Sequence, residues 1–187
     1  MRKLKLQVQF TVDGFIAGPT NEMDWLVWNW DEELNKYVTD LTEPVSTILL
    51  GRKLAEGFIG AWESRAADPA TADAGTHKMN STPKVVFSRQ LERIDGKNVT
   101  LNRGDIVEEI NALKHGEGGD LIAYGGGDFV SSLIKNNLID DYYLFVNPVA
   151  LGKGMSIFGE LDKKLNLRLA EAKSFTCGIV VLHYQPA

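Results

Sequence analysis

The sequence predicts an α/β fold with a mainly parallel central sheet and an antiparallel hairpin at its C-terminal edge. Three observations carry this. Short apolar runs alternate with segments of helical period as far as Val146, strand-like runs alone follow Gly154, and three glycines in a row, Gly125-Gly126-Gly127, join an apolar run to a helical one. Alternating strands and helices build parallel sheets covered by helices, and a closing run of strands adds an antiparallel edge.

Composition narrows the function classes. The 187 residues suit one domain spanning 1–187, long enough to bury a substantial core. A formal net charge of −5 argues against a nucleic-acid surface, which needs clustered Lys and Arg. No apolar run reaches the length of a membrane span, and Met1 to Lys5 leads into alternation instead of the apolar stretch of a signal peptide. The single cysteine, Cys177, excludes an intrachain disulfide framework and fits a reducing cytoplasm. His77, His115 and His183 are too scattered for a metal site.

Along the chain, Leu4, Leu6, Val8, Phe10 and Val12 alternate with Lys5, Gln7, Gln9 and Thr11, the period of a strand with one buried face. Asp13-Gly14 turns the chain, Phe15 to Ala17 resumes briefly, and Gly18-Pro19 stops it. Thr20 to Trp30 holds three of the four tryptophans without a clean period and reads as a long ordered loop. Asp31 to Leu41 has helical spacing and ends before Pro44. Val45 to Leu50 is a buried strand and Lys53 to Trp62 a helix. Glu63 to Thr82 is small and polar, with room for a short helix over Ala70 to Met79. Lys84 to Phe87 and Asn98 to Leu101 are strands, and Asp105 to Lys114 is an amphipathic helix ended by Gly116. Leu121 to Tyr124 feeds the glycine triplet, a helix follows Gly127, and Tyr142 to Val146 is the next strand. Leu165 to Phe175 and Gly178 to Tyr184 form the closing hairpin.

The first turn of a helix leaves backbone N–H groups unpaired and partly positive, so glycines there let a phosphate approach the main chain. The plainer alternative is a tight turn whose helix is capped by Asp128. Two further strand ends offer phosphate donors: Gly51-Arg52 and Ser88-Arg89. In open α/β sheets all three face one crevice beyond the strands' carboxyl ends, which suits a ligand with several phosphates. Neither G-x-G-x-x-G nor G-x-x-x-x-G-K-[ST] is present, which disfavours a standard Rossmann domain or P-loop NTPase.

Taken together, Phe10-Thr11-Val12-Asp13-Gly14-Phe15-Ile16-Ala17, Met23-Asp24-Trp25-Leu26, Leu50-Gly51-Arg52, Val86-Phe87-Ser88-Arg89, Tyr124-Gly125-Gly126-Gly127 and Asn147 to Gly154 resemble the dihydrofolate reductase-like superfamily. The nearest branch is the riboflavin-biosynthesis reductase (RibD C-terminal) family. The resemblance covers nearly the whole chain in order. It implies a three-layer reductase fold using NADPH, often as a homodimer, on a small pyrimidine or pterin-like substrate. It also implies roles: Gly125, Gly126, Gly127, Asp128 and Phe129 at the pyrophosphate, Gly51 and Arg52 flanking the phosphates, Ser88 and Arg89 at the 2′-phosphate, and the backbone of Ile16 and Ala17 at the nicotinamide amide.

On the substrate side, hydride transfer needs donor and acceptor carbons in contact and usually a proton. Asp13 is the candidate polar catalytic group, against the plainer role of a turn cap, and Asp24 and Trp25 are the candidate substrate contacts. Dihydrofolate reductases carry an acid on the first helix. The usual separation before Gly51 falls near Asn35, which points away from folate, leaving a true dihydrofolate reductase only with Glu32 or Glu33 as the acid of a shifted register; Asp31, Glu32 and Glu33 stand beside Asp13 and Asp24 as further candidate polar groups. A cofactor-binding module without turnover is the remaining alternative.

Overall fold

The computed structural model describes residues Met1–Ala187. Strands β1 (Leu4–Thr11), β2 (Val45–Gly51), β3 (Lys84–Phe87), β4 (Val99–Asn102), β5 (Asp120–Ala123), β6 (Asp141–Asn147), β7 (Leu167–Ser174) and β8 (Val180–Pro186) form one sheet in the order β4-β3-β2-β5-β1-β6-β8-β7. The strands from β4 through β6 in that order run parallel, and β8 and β7 add the antiparallel edge, as predicted. Helices α1 (Glu32–Thr42), α2 (Arg52–Ala67), α3 (Ala74–Ser81), α4 (Ile106–His115) and α5 (Gly127–Lys135) complete the chain. None is long and apolar enough to cross a membrane.

Strand alternation divides the core into layers. Leu4, Leu6, Val8 and Phe10 of β1 pack with Ile110 of α4 and with Phe129, Val130, Leu133 and Ile134 of α5. On the opposite face, Ala55 and Ile59 of α2 cover Ile48, Leu50, Val86 and Ile122, while Leu34 and Leu41 of α1 cover Phe145, Ile179 and Val181. The result is helix, sheet, helix.

The reading of β1 as half buried is corrected. Only Gln9 of its polar row keeps partial access; Lys5, Gln7 and Thr11 are buried, because β1 is central and α1 and α2 flank it on the second face. Lys5 Nζ donates to the Leu41 carbonyl at 3.1 Å and pairs with Asp120 at 3.1 Å. Gln9 Oε1 accepts from Asn147 Nδ2 at 2.8 Å. Long-range partners thus offset the desolvation of Lys5 and Gln9.

Several ends also move. Asp31 precedes α1 as its N-cap, its carboxylate accepting from Leu34 N–H at 2.7 Å. Helix α2 runs past Trp62 to Ala67, and α3 begins after the N-cap Asp73, later than Ala70. At the edge, buried Asp141 accepts from His183 Nε2 and Gln185 Nε2, both at 2.7 Å, and meets Lys3 at 3.4 Å. Burial pushes its carboxyl up, but the Gln185 and His183 bonds and Lys3 outweigh that and hold it below the ordinary range. This cluster ties β8 to β6 and the N-terminus.

Candidate active site

Because β3, β2 and β5 are neighbours, the three glycine- and arginine-bearing strand ends lie side by side. The contact between two of them is tight. A Cβ added to Gly126 would lie 3.2 Å from Gly51 Cα, and one added to Gly51 would lie 2.6 Å from Phe129 Cβ. Gly125 (φ +148°) and Gly126 (φ +87°) hold backbone conformations that side chains disfavour. The turn therefore needs glycine both for its shape and for the approach of β2.

Gly126, not Asp128, is the N-cap of α5, and no side chain caps it. The helix's first backbone bond runs from Val130 N–H to Gly126 O at 2.9 Å, which leaves the N–H groups of Gly127, Asp128 and Phe129 without backbone acceptors. These point along the helix axis with the positive end of its dipole. Asp128 turns outward to Lys53 of α2 at 2.8 Å. Lys53 went unnoticed in the sequence because its neighbour here is 75 residues away. Arg52 opens α2 beside it, only loosely held by Glu56 at 3.9 Å. Phe129 stacks on Phe87 at the end of β3, with ring centroids 5.1 Å apart.

On the other flank, a Cβ on Gly127 would lie 3.2 Å from Met155 Cε and 3.5 Å from Ile16 Cδ1. Ile16 N–H donates to Met155 O and Met155 N–H donates to Ala17 O, both at 2.9 Å. That pairing leaves the Ile16 carbonyl and the Ala17 N–H free of backbone partners. Met155 was also missed, since only the tertiary pairing of residue 17 with 155 places it here.

Asp13 closes the same corner. Its carboxylate accepts from Thr11 Oγ1 at 2.6 Å, Gly152 N–H at 2.6 Å and Leu151 N–H at 3.0 Å. The Thr11 and Gly152 bonds lower its pKa, so it is held ionised. Ser88 Oγ accepts from Gln90 N–H and Leu91 N–H, capping the turn after β3 and keeping its own O–H free to donate. Arg89 is exposed, 3.8 Å from Asp105, and Arg103 lies beside it, donating to the Arg89 carbonyl at 3.5 Å. Asp24 and Trp25 sit apart in the loop before α1, where Trp25 Nε1 bonds back to the Glu22 carbonyl at 3.2 Å. The site thus gathers Gly51, Arg52, the triplet, Asp128, Phe129, Ile16 and Ala17, while Arg89, Asp24 and Trp25 stand outside that cluster.

The profile of the RibD C-terminal domain matches residues 2–181. The chain belongs to this family. This RibD C-terminal domain is 33% identical over 183 residues to the uncharacterised protein YyaP of Bacillus subtilis (strain 168), covering 98% of this chain and 94% of that protein. Its fold resembles a protein of Shewanella sp. PV-4 assigned to riboflavin biosynthesis, with a TM-score of 0.75 at 22% identity over 100% of this chain and 99% of the other. It also resembles a diaminohydroxyphosphoribosylaminopyrimidine deaminase/5-amino-6-(5-phosphoribosylamino)uracil reductase of Thermotoga maritima, with a TM-score of 0.71 at 16% identity, covering 100% of this chain and 57% of that one. This RibD C-terminal domain therefore has the fold of riboflavin-biosynthesis reductases, and its glycine turn lies at the carboxyl ends of the parallel strands.

Proposed function

We propose that this chain is an NADPH-dependent reductase acting on a pyrimidine, resembling 5-amino-6-(5-phosphoribosylamino)uracil reductase. The observation that carries the reading is the Gly51–Gly126 backbone contact beside three N–H groups with no backbone acceptor, a cradle that a Cβ would fill. These residues fit a dinucleotide. The N–H groups of Gly127, Asp128 and Phe129, with Arg52 and Lys53, hold the pyrophosphate. The Ser88 hydroxyl and Arg89 take the 2′-phosphate, and the Ile16 carbonyl with the Ala17 N–H takes the carboxamide.

When bound, NADPH supplies a hydride. Asp13, which the sequence offered as the catalytic group, serves here as an ionised brace: it pins residues 151–152 to β1 and so preserves the pairing of Met155 with Ile16 and Ala17. Asp24 and Trp25, in the loop before α1 and outside the cofactor cluster, are the candidate substrate contacts of this reading. Of the acids around the start of α1, Asp31 is engaged by the Leu34, Thr176 and Cys177 donors and Glu33 pairs with Lys173 at 2.9 Å, which narrows a folate reading to Glu32.

Calorimetric titration with NADPH and NADH tests the reading. Tighter binding of NADPH is expected; no heat with either cofactor overturns it. Cofactor binding without turnover on any pyrimidine would leave a binding module.

A further inference from the structure

The buried face of β1 contains a polar group that the fold leaves unpaired. Gln7 is 6% exposed, and its Oε1 is fully buried with no hydrogen-bond partner. Its neighbours along the row are satisfied: Lys5 by Leu41 and Asp120, Gln9 by Asn147. Buried polar atoms nearly always find partners, so an orphan in a strand this central calls for an explanation. The other orphan, the Tyr142 hydroxyl, belongs to a residue of the opposite core, packed with α4 and α5.

The position of Gln7 supplies one. Leu6 pairs with Ala123, so Gln7 stands level with Tyr124, one residue before the glycine triplet. Its partner on β6 is Tyr143. Tyr124 is covered by α2 through Phe58, its ring centroid 5.6 Å away, and the strands beyond Tyr143 are covered by α1. Gln7 therefore lies under the seam between the two helices, at the height of the crevice where the dinucleotide is proposed to bind. An amide in such a seam presents one acceptor and two donors in a plane.

Building on the reductase reading above, we infer that Gln7 recognises the substrate ring, pairing its amide with a lactam edge, a ring N–H beside a ring carbonyl. A carboxamide and a lactam match bidentately, donor to carbonyl and acceptor to N–H. The free chain keeps the orphan because the partner arrives with the ligand, as in sites whose unpaired polar groups reject analogues lacking the matching group.

The test uses the full chain saturated with NADP⁺ and 5,6-diaminouracil as the probe. Native protein binds this uracil and loses roughly tenfold or more in affinity for its 1,3-dimethyl analogue, whose ring N–H groups are blocked. Gln7→Met, close to isosteric, keeps NADP⁺ affinity and an equal or higher Tm, because it removes an unpaired buried amide, yet loses roughly tenfold or more in uracil binding. The inference is overturned if the native chain does not bind the uracil or does not distinguish the two probes. It is equally overturned if Gln7→Met binds the uracil as native does, or loses Tm and both ligands together, the sign of a structural role. Loss of NADP⁺ binding by the native chain instead strikes the reductase reading itself.

Discussion

Replacing Gly51 with alanine isolates the closeness of β2 to the glycine turn as the feature that makes the cradle. Its backbone is extended (φ −77°, ψ 153°), so alanine meets no conformational penalty there and any effect is steric. The new methyl would sit 2.6 Å from Phe129 Cβ and 3.6 Å from Gly126 Cα. Carbon atoms in contact rest about 3.5–4.0 Å apart, so the start of α5 must retreat by about 1 Å. Overpacking of this kind costs about 1–3 kcal/mol, a fall in Tm of about 2–12 °C for a chain of this size. The same retreat carries the Gly127–Phe129 N–H groups out of line, and NADPH affinity should drop by roughly tenfold or more, since about 1.4 kcal/mol is a factor of ten. Thermal unfolding and calorimetric titration read both. Gly57→Ala is the matched control: it lies in the interior of α2 with nothing within 4 Å of its added Cβ, so it should stabilise by roughly 1 kcal/mol through helix propensity and leave binding alone. A Gly51→Ala protein with native Tm and native NADPH affinity would refute the reasoning.

Arg89→Ala should weaken NADPH by roughly tenfold while leaving NADH unchanged, consistent with loss of a charge-assisted phosphate contact; equal loss for both would remove Ser88 and Arg89 from the 2′-phosphate. Asp141→Ala strips a buried acceptor from Lys3, His183 and Gln185; because Lys3 is exposed and no buried charge is left uncompensated, it should cost about 1–3 kcal/mol in thermal or urea unfolding. The Asp141 carboxyl is lowered on folding, so the stability it lends is complete above the ordinary carboxylate range and is lost as pH falls through the lowered folded value. The native chain should therefore lose more stability on acidification than Asp141→Asn does. Asp13→Asn weakens the bonds from Leu151 and Gly152 without removing the side chain, so amide hydrogen exchange should quicken at both residues. Because Asp13 is also lowered, the native protein should show the same quickening only at pH below the usual carboxylate range.

The parallel strands and the turn between β5 and α5 were legible because their signals are local: an apolar run, residues that take positive φ, then a helical period. The same holds for Gly51 and Ser88, which are marked by the strand ends they follow. The second face of β1 was not legible, since alternating Lys5, Gln7 and Gln9 spell a solvated face unless their distant partners Asp120 and Asn147 are known. Lys53 and Met155 escaped for the same reason: each reaches the site through tertiary contacts with Asp128 or with Ile16 and Ala17. Helix α2 outran its predicted end because Glu63 to Ala67 carries little apolar pattern of its own. Asp13 shows the reverse case, a residue conspicuous in sequence whose carboxylate is occupied by internal donors.

The central claim is that three adjacent strand ends form one dinucleotide site, and residue-resolved amide hydrogen exchange with and without NADPH addresses it most directly. The account predicts slowed exchange at Gly127, Asp128 and Phe129, whose N–H groups lack backbone acceptors in the free chain, and at Ala17 across the crevice. Binding of NADPH that leaves these four amides unprotected, or that protects a different end of the sheet, would contradict it.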